Sequence, residues 1–189
     1  AGNILGEVQS GHMNRVGLDL YLEMLEQAVS KIKGGGVALH TETEINLALT
    51  AHIPETYITD GHERLRWYKL LSSARDSKSR QELVLELRDR FGHLPEELQV
   101  FLAVLELKWF LSEVQAARAD IHADRVRIAW DEGQTAIAPE RIPAFLATNT
   151  AVRLLPPATL EWKLDTARAV PLRLDEVRHA LAALITPPA

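Results

Sequence analysis

Residues 94–130 read LPEELQVFLAVLELKWFLSEVQAARADIHADRVRIAW. The stretch changes period part-way. From Pro95 to about Ala117 the apolar residues Leu98, Phe101, Leu102, Leu105, Trp109, Phe110 and Val114 cover almost the whole circumference of a helix, the pattern of a helix buried on more than one side. Pro95 suits a first helical position, and Glu96 and Glu97 complement the positive end of the helix. After residue 118 the helical period is lost. RVRIAW at 125–130 and residues 134–138 alternate instead, and Asp131-Glu132-Gly133 between them predicts a hairpin. A buried helix running into alternating segments predicts an α+β fold.

Upstream, residues 78–91 place Leu83, Val84, Leu87 and Phe91 on one helical face, and Gly92 suits the cap that follows. Residues 60–75 form another helix, with Leu65, Tyr68, Leu71 and Ser72 on one side and Trp67, Leu70 and Ala74 nearby. EINLALT at 44–50 alternates and reads as a short strand. Further back, Leu18, Tyr21, Leu22, Leu25, Ala28, Val29 and Ile32 form a helical stripe over 13–33, which Gly34-Gly35-Gly36 ends. Downstream, a short helix is expected at 139–147, strands at 151–155 and 158–164 split by Pro156-Pro157, and a last helix at about 173–185. The expectation is an N-terminal helical segment, then a mixed domain. That domain holds a helical bundle (about 60–117) and a small, mainly antiparallel sheet (about 119–165), closed by a C-terminal helix. No internal repeat or low-complexity tract is visible.

The chain has 189 residues, 47% of them apolar and 25% charged, enough to build a core of ordinary globular composition. About one domain per 100–200 residues allows one domain, or one and a fragment. No cysteine is present, which excludes disulfides, thiolate zinc sites, iron–sulfur clusters and cysteine nucleophiles in this chain. The net charge of −5 makes a poor general surface for nucleic acid, which asks for basic residues. No apolar run approaches a membrane span, and Asn3, Glu7 and Gln9 stand where a signal peptide would be basic or apolar. A start at Ala1 instead of Met suggests a piece of something larger.

The common catalytic motifs are missing. Gly34-Gly35-Gly36 follows a helix and continues into Val37, so it does not form a phosphate-binding loop. None of His12, His40, His52, His62, His93, His122 and His179 stands four residues from another, and no Gly-x-Ser-x-Gly elbow occurs. The expectation is that this chain alone has no catalytic, cofactor or metal residues. Three features stand out. Gly6-Glu7-Val8-Gln9-Ser10-Gly11 offers a glutamine between glycines, or a helix start capped by Ser10. Glu82, Glu86 and Asp89, spaced four and three apart, share one side of a helix. They form either an acidic docking stripe for a basic partner or a solvated face with Glu86 paired to Arg90. Arg64, Arg66 and Lys69 with Trp67 and Tyr68 form either a basic-aromatic patch or solvated cations beside core aromatics. Trp109 and Trp130 read as core residues.

Residues 1–11, GN-x-LG-x-x-QSG, resemble the end of the translocation motif shared by RecG-type helicases and transcription-repair coupling factors. In that motif an Arg precedes the position of Ala1. Four further segments resemble the coupling factors alone: H-x-x-x-VG-x-DLY-x-x-ML-x-x-AV at 12–33, IP-x-x-YI at 53–58, RL-x-x-Y at 64–68 and EL-x-DRFG-x-LP-x-E at 86–96. The resemblance covers roughly residues 1–110. It implies a parent that is a large bacterial, cytoplasmic, ATP- and Mg-dependent double-stranded DNA translocase. Such a parent displaces stalled RNA polymerase and recruits nucleotide excision repair through UvrA. It further implies that residues 1–33 are the tail of the second motor lobe, 34–43 a linker and 44–189 a C-terminal regulatory domain. This domain would dock on an N-terminal UvrB-like module of the same chain and mask UvrA binding. Gln9, with Gly6 and Gly11, matches the translocation motif. Glu86 and Asp89 match the docking face, which Glu82 extends. Two positions depart from the family pattern: Arg88 replaces an apolar residue, and Val8 an acidic one.

The alternative is the C-terminal end of a RecG-like branched-DNA helicase contacting DNA. The roughly 150 residues after Gly34 discriminate between the two, because RecG-type chains end soon after the motif.

Overall fold

The computed structural model describes residues 43–74, 76–131 and 137–185. The chain divides into two compact units. The described part of the first is 50–101, and that of the second is 43–49 with 102–185.

The first unit is helical. It holds α1 (Gly61–Ser73), α2 (Ser77–Phe91) and the start of α3 (Glu96–Glu113). Aspartate caps the N-terminus of both α1 and α2. Asp60 accepts the amide of Glu63 at 2.7 Å, and Asp76 accepts both the amide (2.8 Å) and the hydroxyl (2.6 Å) of Ser79, satisfying donors that an uncapped first turn leaves open. Gly92 ends α2 at φ +87°, with its amide donating to the Arg88 carbonyl. The Tyr57 hydroxyl reaches the carbonyls of Leu87 and Gly92 at 3.1 Å each and closes that end. Trp67, Leu71, Leu87, Leu98 and Phe101 are fully buried, with Ile53 and Ile58 from the loop before α1.

The second unit holds one five-stranded sheet, order β1-β2-β3-β5-β4: β1 (Glu44–Leu47), β2 (Arg118–Ile121), β3 (Arg125–Ala129), β4 (Val152–Leu155) and β5 (Thr159–Lys163). Only the β1–β2 pairing is parallel; the other three are antiparallel. The register puts Leu47, Ile121, Val126, Trp162 and Val152 in one row. The next row on the opposite face is Asn46, Asp120, Arg127, Glu161 and Arg153. This alternation gives the sheet one apolar and one charged face. A 3-10 turn (Pro139–Arg141) leads into α4 (Ile142–Thr148), and α5 (Val170–Ile185) buries Leu174, Val177, Leu181 and Leu184.

The mixed α+β class and the mainly antiparallel sheet agree with the sequence reading, and four details differ. The expected hairpin through Asp131-Glu132-Gly133 is not how β3 is paired. Its partners are β2, reached by the turn at 122–124, and β5. Residues 137–138 carry no strand, and 132–136 lie outside the described residues. Next, α3 stops at Glu113 rather than 117, because Gln115 turns to φ +58° and the Ala116 amide reaches back to the Leu111 carbonyl. The last helix begins at Val170, three residues early. Finally, Trp130 is buried, its indole donating to the Val114 carbonyl, whereas Trp109 is only half-buried.

Candidate docking surface

The three carboxylates of the sequence reading stand on one helix. Leu87 is the buried residue of α2, flanked by half-buried Leu83, Val84 and Phe91. At about 100° per residue, this places Glu82, Glu86 and Asp89 on the opposite side, and all three are exposed. The helix is not acidic overall. SKSRQELVLELRDRF contains Lys78, Arg80, Arg88 and Arg90 against those three carboxylates. The stripe therefore comes from placement, not composition.

Intrahelical pairing quenches the stripe only in part. Lys78 approaches Glu82 at 3.9 Å, with both side chains well exposed, and Arg90 approaches Glu86 at 3.4 Å. Exposed pairs of this kind contribute about 0–1 kcal/mol. Arg90 is also shared: it lies closer, at 2.9 Å, to Glu63 of α1. Its guanidinium carbon is 5.7 Å from the Trp67 ring centroid and 5.2 Å from that of Phe91. Asp89 has no ion pair among the described residues. Arg88 is exposed beside the stripe. Its charge draws the Tyr57 hydroxyl back toward its ordinary pKa, against the larger upward push of burial.

The basic-aromatic patch does not form as a surface. Trp67 is fully buried, and its indole donates to Glu63 at 3.1 Å, so its face is not open to a base. Arg64 donates to the carbonyls of Ile58 (2.8 Å) and Thr59 (3.1 Å) and to Glu55 (2.8 Å). It ties down the loop before α1. Tyr68 turns its ring edge-on to Phe101 at 5.2 Å. Gly6, Gln9 and Gly11 lie outside the described residues.

Sequence reasoning passed over two residues here. Leu85 interrupts the acidic side of α2 and is 57% exposed. The visible signal was an apolar residue out of phase with Leu83, Leu87 and Phe91. The Glu63–Arg90 bridge joins two helices and leaves no local spacing to read. Among the described residues, no group of three or more His, Cys, Asp or Glu side chains is placed to hold a metal ion. No helix there is long and apolar enough to cross a membrane.

The family model of the TRCF domain matches residues 47–142. That is about half the chain, and it contains α1, α2, α3, β2 and β3. The chain belongs to the transcription-repair coupling factor family. It is 37% identical over 137 residues to the transcription-repair-coupling factor of Bacillus subtilis, covering 72% of this chain and 12% of that protein. It is 35% identical over 127 residues to that of Myxococcus xanthus (67% and 10%), and 37% over 113 residues to that of Escherichia coli (57% and 10%). The chain thus spans about a tenth of the length of these relatives. A crystal structure of the C-terminal domain of a transcription-repair coupling factor shares its fold. The TM-score is 0.63 at 20% identity, over 78% of this chain and 97% of that one. The family-model match lies in the residues after Gly34 that were to separate coupling factors from RecG-type helicases.

Proposed function

We propose that this chain is the C-terminal regulatory piece of a coupling factor that moves on double-stranded DNA by ATP hydrolysis. The parent displaces stalled RNA polymerase and recruits nucleotide excision repair in the bacterial cytoplasm. In this reading residues 1–33 finish the second motor lobe, with Gly6, Gln9 and Gly11 in its translocation motif. Residues 34–43 are a linker, and 44–189 are a domain without chemistry of its own. ATP and Mg belong to the motor. The domain docks on the UvrB-like module at the other end of the parent and masks the surface that UvrA binds.

One observation carries this reading. Glu82, Glu86 and Asp89 project together from the outer side of α2, exposed and incompletely paired. A stripe of this kind suits a reversible polar contact, in which rim charges set specificity and on-rate more than affinity. A mask must also let go, and a contact within one chain gains from effective concentration without needing a large apolar area.

The test is a titration of this chain against the UvrB-like module at low and moderate salt, with wild type and Glu86→Lys/Asp89→Lys. Binding that weakens with salt and is lost in the double reversal is expected. Binding unchanged by the reversal moves the interface elsewhere, and no binding at all removes the masking role.

A further inference from the structure

We propose that Leu85 is the apolar anchor of the α2 face and seats in a nonpolar socket rimmed by basic side chains on a protein partner. The inference rests on the docking reading above and adds the residue that supplies affinity. Four large apolar side chains are exposed among the described residues: Leu65 at 38%, Leu154 at 46%, Leu172 at 54% and Leu85 at 57%. Leu85 is the most open of them, and the only one in the acidic stripe. It stands three residues after Glu82 and four before Asp89, so these two carboxylates flank it on one side of the helix, and Glu86 lies further round on that same side. Arg88 and Gln81 flank it on the other.

Folding does not call for a leucine there. Leu87 and its half-buried neighbours already supply the inner face of α2. A bare leucine held in a charged frame has instead the layout of an interface anchor: an apolar centre that gains by desolvation, within a polar rim. The rim also selects the partner. Three carboxylates repel phosphate, which disfavours nucleic acid and anionic lipid alike. They attract arginine and lysine. Because the carboxylates lie on one flank and Arg88 on the other, a partner with cations on one side of its socket docks in a single orientation.

The experiment uses the full-length parent and reads UvrA captured from solution. The variants are Leu85→Ser, Leu85→Met and Glu86→Lys/Asp89→Lys, at low and high salt. Leu85→Ser is expected to raise capture about tenfold over the masked wild type, equally at both salts, while Leu85→Met stays masked. The charge reversal is expected to unmask more at low salt than at high. Unmasking by the reversal with Leu85→Ser still masked overturns the anchor and leaves the docking reading standing. If neither variant unmasks, both fail. A Leu85→Ser parent that stays masked but loses duplex DNA also overturns the anchor, by placing nucleic acid on this face. Matching thermal melts of the 189-residue wild-type and Leu85→Ser chains separate lost docking from lost folding.

Discussion

Arg90 Nη2 stands 2.9 Å from Glu63 Oε1 and joins α2 to α1. The same carboxylate accepts the indole N–H of buried Trp67 at 3.1 Å, and the guanidinium that it holds lies over the Trp67 ring. One carboxylate thus satisfies a core tryptophan and shares with Glu86 the Arg90 cation, which it holds at the shorter distance. The acidic stripe of α2 and the core of the first unit meet at this pair.

Removing Glu63 should therefore cost more than its exposed partners suggest. Glu63→Ala leaves the Trp67 N–H without its acceptor inside the core, an expected loss of about 1–3 kcal/mol. Arg66→Ala removes only an exposed contact, at 3.4 Å, and should change stability by about 0–1 kcal/mol. Urea unfolding of the two variants against wild type checks the contrast. Equal losses would mean that the indole bond adds nothing.

Gly92 tests backbone strain apart from packing. It sits at φ +87° and ψ −153°, a region that is essentially glycine's alone. A Cβ added there meets nothing within 4 Å, so no clash contributes. Gly92→Ala should lose about 1–3 kcal/mol, read as a lower urea midpoint at unchanged slope. A midpoint equal to wild type would show that the turn relaxes freely.

What could be read in advance was local. The Gly92 cap, the inner face of α2 around Leu87, the buried third helix and the acidic stripe all follow from spacings within one helix, and the structure has them. What was missed depends on residues far apart. The DEG turn after Trp130 looked like the tighter hairpin signal, yet β3 pairs with β2, whose RADI offers only Ala119 and Ile121 to an apolar face. Nothing near Thr43 shows that its hydroxyl is buried against the Ala116 carbonyl, 2.7 Å away across 73 residues. Leu85 was legible as an apolar residue out of phase, but its exposure depends on what the rest of the fold leaves uncovered.

Asp76 gives an acid-side test. The Ser79 hydroxyl, then the Ser79 amide, hold its carboxyl below the usual carboxylate range. The folded chain therefore binds this proton less readily than the unfolded chain. The contribution of the cap is complete above the ordinary pKa of about 3.9 and is lost as pH falls through the lower folded value. Asp76→Asn keeps an acceptor but does not titrate. Thermal melts from about pH 5 down to about pH 3 should show the advantage of wild type over Asp76→Asn shrinking. An advantage that stays constant with pH would count against a charged cap.

Tyr68 gives the alkaline counterpart. Its hydroxyl oxygen accepts the amide of buried Ile53 at 2.7 Å. Burial pushes the phenol pKa up, and the Ile53 bond and the Arg64 charge only partly offset this. With the folded value above the unfolded one, the contribution of the neutral phenol is fully present below about pH 10 and is lost as pH rises through the folded value. Tyr68→Phe leaves the Ile53 N–H without that acceptor, so a loss of about 1–3 kcal/mol is expected near neutrality. Phenylalanine does not ionise, so the gap between wild type and variant should narrow at about pH 11. Urea unfolding at the two pH values measures both effects, and a gap that does not narrow would place the phenol in water rather than in the core.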